Sequence, residues 1–165
     1  MSMSGEYLRV TPDELARLRA SATSIVDYLY PEDEHEHPRE RRLSVDKSWH
    51  AIHYLLNGVP WEGEPPRLNA VLGGEPIGDD DLGYGPVRFL TADEVQEVAD
   101  ALEDVPVFVL LESFDHEALN DAEIYPHDWQ GDDQERDLVS SHYTELVAFF
   151  RSAAQAGDAM LLYLS

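Results

Sequence analysis

Strand-like apolar patterns lie at both ends of the chain, and this feature restricts the fold most. "EYLRV" (6–10) alternates its side chains between two faces, and "AMLLYL" (159–164) is apolar enough to be a buried central strand. The segments between them are mostly helical in pattern. Strands at both ends with helices between them predict an α+β fold in one compact domain, residues 1–165. We expect a small mixed sheet of N-terminal, central and C-terminal strands, packed with four to five helices.

Capping patterns mark where helices begin. Thr91 with Glu94 has the spacing of a capping box, in which two side chains satisfy free N–H groups at a helix start. Thr11 with Glu14 has the same spacing, and apolar residues then recur at helical intervals. The predicted helices cover 12–31, 45–57, 91–102 and 138–156, and a central strand covers 87–90.

The segment "VPVFVLLESF", which begins at Val105, is ambiguous. Its β-branched and aromatic residues favour a buried strand, whereas Pro106 suits the first turn of a helix. The composition leaves open whether 105–113 is helix or strand.

The chain is strongly acidic. Its 165 residues include 34 Asp or Glu and 11 Lys or Arg, for a net charge of −23 at pH 7. Nucleic acids and anionic lipids are bound through positive charge, so we expect neither nucleic acid nor membrane as a partner. A basic protein partner or a small molecule fits this charge better, while the oligomeric state stays open.

The composition also bears on redox chemistry and location. The chain has no cysteine, which rules out disulfides, thiolate metal ligands and a cysteine nucleophile. The first residues lack the basic start and apolar run of a signal peptide, and no apolar stretch approaches the roughly 20 residues that span a bilayer. We therefore expect a cytoplasmic protein.

The most informative stretch is "DKSWHAIHYLLNG", which contains the only lysine and two histidines three residues apart. At about 100° per residue, Asp46, His50, His53 and Asn57 form one polar stripe on the predicted helix, beside an apolar arc that includes Trp49. Gly58 ends the helix.

This stripe has three interpretations. As a cleft wall, His50 or His53 transfers protons while Asp46 fixes a tautomer. As a weak metal site, the two histidines share an ion with a carboxylate from an acidic loop. As the polar side of a half-buried helix, it has no function, and Asp46 is an N-cap.

Two further loops supply tyrosines to a possible cleft. In "GDDDLGYGP", the carboxylates lack the spacing of a calcium loop, and Tyr84 either meets a ligand or is buried. In "EIYPHDW", Tyr125 and Trp129 either form a binding edge or anchor the loop to the core. The cofactors are unknown. The candidate cleft residues are Asp46, Lys47, Trp49, His50, His53, Tyr84 and Tyr125.

Six segments, taken in order, resemble the YfbM-like family of uncharacterised bacterial proteins. They are "MSGEYLRVTPDEL", "DKSWHAIHYLLNG", "AVLGG", "GYGPVRFLTADEV", "EIYP" and "AAQAGDAMLLYL". The resemblance implies a single-domain α+β fold in a bacterial, intracellular setting, and no known activity or catalytic residues. It also favours helix over strand at 105–114, where this chain is apolar and such proteins tend to be charged.

Two functional hypotheses follow from these observations. The first is a non-enzymatic binding or interaction protein that masks a basic protein partner, based on the net charge and on the absence of nucleotide-binding, hydrolase and metalloprotease motifs. The apolar 105–111 segment is a partner patch if exposed. The alternative is a hydrolase, or a small-ligand or metal-binding protein, whose cleft is lined by the 46–57 helix.

Overall fold

The computed structural model describes residues 2–20, 25–31, 37–81 and 84–165, with the backbone alone at 79–81. Within these ranges the chain forms five strands and seven α-helices. The strands are β1 (Gly5–Val10), β2 (Arg42–Asp46), β3 (Glu75–Asp81), β4 (Pro86–Leu90) and β5 (Ala159–Leu164). The helices are α1 (Pro12–Ala20), α2 (Ile25–Leu29), α3 (Trp49–Asn57), α4 (Ala92–Glu103), α5 (Val107–Leu111), α6 (His116–Asp121) and α7 (Asp133–Ala156).

The strands form one sheet in the order β2-β1-β5-β4-β3. The C-terminal strand β5 lies at its centre, as its apolar sequence predicted. The α+β class is confirmed. Each pair of neighbouring strands is antiparallel, so the expectation of a mixed sheet is corrected. Strand patterns could not show this, because direction depends on where the connecting segments return the chain to the sheet.

Each face of the sheet carries its own hydrophobic cluster. Tyr7 of β1 points into the larger cluster, which α3, α4 and α7 also line. Leu8 and Val10 point to the opposite face, into a smaller cluster with α1 and α2. The alternation of β1 therefore reflects two buried faces, rather than one buried face and one in water.

The local signals at helix ends are confirmed. Thr91 and Glu94 form a full capping box at the start of α4. Thr11 and Glu14 make the same reciprocal bonds at the start of α1. Gly157 ends α7 in the left-handed conformation that glycine adopts without steric cost. These features depend on residues close in sequence, which is why the sequence shows them.

Several predicted boundaries are wrong. The predicted 45–57 helix begins only at Trp49, because 42–46 pair with β1 as strand β2. Helices α1 and α2 occupy the two described parts of the predicted 12–31 helix, and the residues between them, 21–24, lie outside the described ranges. The last helix begins at Asp133 rather than 138, at an Asp132 capping box. The 105–113 segment contains helix α5, with Pro106 as its N-cap. Two short helices, α5 and α6, bring the number above the predicted four to five.

The remaining predictions concern a metal pair and a membrane span. A histidine pair in the loop "PEDEHEHPRERR" is a weak metal candidate in the sequence, but its first member, His35, lies outside the described residues. His37 is described and bonds through Nε2 to the Tyr28 carbonyl at 2.8 Å. No helix in the described ranges has both the length and the apolar composition needed to cross a membrane.

Candidate functional site

Helix α3 is the structural centre of the predicted site. It runs from Trp49 to Asn57 and ends at Gly58, whose φ of 77° is left-handed. Its apolar arc is buried as predicted, with Trp49 and Ile52 fully inaccessible. The polar stripe is buried too, because His50 and His53 have no exposed surface. Helix α3 is therefore covered on both sides, and its histidines need partners inside the protein.

His50 joins two loops that are distant in sequence. Its Nε2 lies 2.9 Å from the Pro60 carbonyl oxygen, and its Nδ1 accepts the backbone N–H of Tyr125 at 2.8 Å. A carbonyl only accepts, so Nε2 carries the proton and Nδ1 is unprotonated. Burial lowers the pKa of His50, with a further contribution from nearby His127. The ring is a neutral cross-link between the 58–63 and 123–128 loops.

His53 has the same role one turn later. Its Nε2 donates to the Glu62 carbonyl at 3.0 Å, and the Asn57 amide donates to its Nδ1 at 3.3 Å. Burial, above all, lowers the pKa of His53 to about 4. Charging the ring would put Nδ1–H against the Asn57 donor, so the geometry and the pKa agree. Both nitrogens of both histidines are engaged within the protein.

Trp49 connects helix α3 to the start of the chain. Its Nε1 donates to the Met3 carbonyl at 3.0 Å, while the Met3 N–H donates to the Tyr125 hydroxyl at 2.9 Å. The indole stacks on the His50 ring, with the ring centroids 4.8 Å apart, and on the Tyr125 ring, with the centroids 5.6 Å apart. Trp49, His50 and Tyr125, three of the predicted site residues, thus form one packed unit.

This unit extends to the surface through residues that the sequence interpretation did not select. The centroid of the Trp61 ring lies 4.3 Å from that of His50 and 6.1 Å from that of Trp49. Even so, Trp61 is 58% exposed. The exposed His127 ring meets Tyr125 edge-on at 6.2 Å. We call Trp61, Tyr125 and His127 the aromatic surface. Trp49 and His50 support it from the interior.

The backbone beneath the aromatic surface is unusual. Glu123, His127 and Asp128 adopt positive φ angles of 57°, 77° and 56°. His and Asp are among the residues that tolerate this region best, but the conformation still needs support from its surroundings. The His50–Tyr125 hydrogen bond and the ring stacking supply that support. The loop is held in one arrangement that presents Tyr125 and His127.

Three acidic residues are close in sequence to the members of the aromatic surface. Glu62 follows Trp61, and Asp128 follows His127, while Glu123 precedes Tyr125 by two positions. Glu62, Glu123 and Asp128 are all exposed. An exposed aromatic face on loops that also carry acidic residues suits a cation, because the ring quadrupole and the carboxylates both attract positive charge.

The other predicted residues lie apart from this unit. Asp46 is in β2 with a φ of 48°, and it accepts a hydrogen bond from Ser4 Oγ at 3.2 Å, so it does not belong to the helical stripe. Lys47 is exposed in the turn before α3. Tyr84 lies two residues before β4, and in the described ranges no hydrogen bond or ring contact joins it to His50 or His53.

No metal site emerges from these positions. Among the described residues, no three His, Asp or Glu side chains are placed to hold an ion together.

The side chain of Trp129 is buried, and its Nε1 donates to the Ile124 carbonyl at 3.0 Å, so it anchors the loop that carries Tyr125. Trp61 was missed because its segment "VPWEGEPP" reads as a simple Pro/Gly-rich connection. A tryptophan directly before Glu62, with Glu64 two positions further, was the available signal.

Comparison with known proteins agrees with the fold. Residues 1–163 match the model of a family described as "Domain of unknown function (DUF1877)". Protein YfbM of Escherichia coli (strain K12) is 30% identical over 124 residues, which cover 72% of this chain and 73% of YfbM. The crystal structure of YfbM from Escherichia coli, a protein of unknown function, superposes with a TM-score of 0.73 at 25% identity, covering 98% of this chain and 99% of YfbM. The chain therefore belongs to the DUF1877 family, and it is similar to YfbM in sequence and in fold.

Proposed function

We propose that the protein is a non-enzymatic, cytoplasmic binding protein that captures a basic protein partner through the aromatic surface. The observation that carries the proposal is the exposed Trp61 indole, supported from beneath by two fully buried rings, on a chain of net charge −23. An exposed tryptophan fixed in place by packing is the kind of residue that dominates interface energies.

The chemistry of the surface favours Arg or Lys side chains from the partner. A cation over the Trp61 face gains roughly 0.5–2 kcal/mol, depending on how far it is desolvated. The nearby carboxylates Glu62, Glu123 and Asp128 attract the same charge and increase the association rate at low salt. Because His50 holds both contributing loops in place, little ordering is needed on binding, which favours affinity.

The alternative of a hydrolase or a ligand-binding cleft along 46–57 receives less support from the geometry. Such a site needs a histidine nitrogen that can reach a ligand. In this structure both nitrogens of His50 and His53 contact protein atoms, and both rings are inaccessible. These contacts favour the binding proposal.

Site-specific photo-cross-linking in the bacterial cytoplasm tests the proposal. A photoreactive phenylalanine analogue at position 61 is expected to trap a protein of basic isoelectric point, and in a lysate of the same cells the yield should fall as salt is added. The analogue at exposed Gln96 on α4 is the matched control and should trap nothing specific.

Two results would contradict this function. One is the absence of any cross-link from position 61, or a cross-link only to acidic proteins. The other is a cross-link from position 108 but not from 61, because Phe108 is the most exposed apolar residue of α5, in the 105–111 segment. That result would move the contact surface to α5.

A further inference from the structure

On the α1–α2 face of the sheet, the residues that the structure describes line a pocket that the proposed function does not use. Helices α1 and α2 cover the half of this face that contains Leu8, Val10 and Leu161. Beyond the end of α2, a pocket of about 410 Å³ remains on the same face. Its size suits a small metabolite rather than a protein segment.

The register explains which side chains line this pocket. Glu6 of β1 is opposite Ser44 of β2 and opposite Tyr163 of β5, so the three side chains lie in one row on one face. Arg42, two positions from Ser44, is opposite Leu8 in the neighbouring row. Polar residues therefore line the face where the helical cover ends.

Among the described residues, Glu6 has no positively charged partner. Its carboxylate accepts hydrogen bonds from the hydroxyls of Ser44, at 3.2 Å, and Ser165. Burial is the main reason that the pKa of Glu6 is raised, and the negative Asp46 raises it further. Within the described residues no ion pair includes Glu6, so a half-buried carboxylate faces the pocket without a counter-charge.

The pocket also has a positive group on its wall. Arg42 lines it, together with His37 and the rings of Tyr30 and Tyr163, which meet edge-on at 6.5 Å. A guanidinium has five donors, so Arg42 can bind a ligand carboxylate in addition to its contacts within the protein. The rows of Glu6 and Arg42 are two residues apart along the strands, a spacing of about 6.5 Å.

We propose that this pocket binds a small zwitterion whose ammonium group pairs with Glu6 and whose carboxylate pairs with Arg42. The tyrosine rings and Leu29 contact the aliphatic carbons between the two charges. The separation of the rows favours a carbon chain of several atoms over an α-amino acid, in which the two charges are adjacent. This site is separate from the aromatic surface and does not depend on the protein-binding proposal.

Three matched probes test the proposal by calorimetric titration of the full chain. They are γ-aminobutyrate, n-butylamine and butyrate, which share a four-carbon chain and carry both charges, the cation alone or the anion alone. We expect γ-aminobutyrate to bind with a dissociation constant below about 1 mM, and each singly charged probe at least about tenfold more weakly.

The variants Glu6→Gln and Arg42→Gln remove one charge each; the first keeps the shape of the side chain and the second shortens it. Each is expected to weaken γ-aminobutyrate binding about tenfold or more. Glu97→Gln is the matched control, because it removes one exposed carboxylate from α4 and leaves the pocket unchanged. Trp61→Ala should also leave γ-aminobutyrate binding unchanged, which separates this proposal from the first.

Carbon NMR of the Glu6 carboxyl gives an independent readout. Pairing with an ammonium group stabilises the carboxylate, so its pKa should fall when γ-aminobutyrate is added. The proposal is overturned if γ-aminobutyrate binds no better than n-butylamine, if Glu97→Gln weakens binding as much as Glu6→Gln, or if the Glu6 pKa does not change. A probe attracted only by the net negative charge would give these results.

Discussion

The Nδ1 of His50 accepts the backbone N–H of Tyr125 at 2.8 Å, and this bond links residues 75 positions apart. On the other side of the ring, Nε2 holds the carbonyl of Pro60. One neutral imidazole therefore positions both loops of the aromatic surface. The residue that the sequence suggested as a proton-transfer group has a structural role in the observed geometry.

His50→Ala should destabilise the protein by about 2–4 kcal/mol, because it leaves a cavity and two unpaired backbone groups. Urea denaturation measures the loss, and amide hydrogen exchange should show faster exchange at Tyr125. His127→Asn is the control, since Asn tolerates a positive φ and the His127 side chain is exposed. An unchanged Tyr125 exchange rate in His50→Ala would disprove the cross-link.

Stability should depend on pH through His53. Its pKa is about 4 in the folded protein and about 6.5 when unfolded, so between these values the unfolded state binds more protons. The contribution of His53 to the free energy of unfolding should therefore be fully present above about pH 6.5, and it should be lost as the pH drops towards 4. The contribution of His53 is on the order of 3 kcal/mol.

His53→Gln separates this effect from that of the carboxylates. Glutamine can still donate to the Glu62 carbonyl but does not titrate. The difference in unfolding free energy between wild type and variant, measured by urea denaturation at several pH values, should grow between pH 4 and pH 6.5. If the two stability curves run parallel over this range, the assignment to His53 is wrong.

The two tryptophans at helix α3 should respond differently to truncation. Trp49→Ala should cost about 3–5 kcal/mol, because the indole is fully buried and bonds to the Met3 carbonyl. Trp61→Ala should cost less than about 1 kcal/mol, since most of its ring is exposed. Thermal and urea unfolding of both variants measures these costs. A large loss from Trp61→Ala would indicate a structural role rather than a binding role.

Gly5 allows the close approach of β1 to helix α3. A Cβ atom at this position would lie 2.7 Å from the Cβ of Trp49 and 3.0 Å from a methyl carbon of Val45. Gly5→Ala should therefore destabilise the protein by about 1–3 kcal/mol, measured by urea denaturation. Ser4→Ala is the neighbouring control and removes only a partly exposed hydroxyl contact with Asp46. Equal stability of the two variants would contradict the close packing.

The sequence by itself determined the features that depend on neighbouring residues. The capping boxes at Thr11 and Thr91, the glycine that ends α7, and the strands at both ends all follow from short-range hydrogen bonding and side-chain periodicity. The family resemblance was also confirmed over nearly the whole chain. These signals need no knowledge of what packs against them.

The tertiary structure decided everything that depends on distant partners. Strand β2 exists because 42–46 pair with β1, although the charged sequence before it indicates a loop. His50 and His53 are buried because the 58–63 loop folds over them and offers two carbonyls, which no helical periodicity could reveal. The Glu6–Ser44–Tyr163 row exists only through the register of three strands. A polar stripe is exposed or buried according to what covers it, and that information lies in long-range contacts.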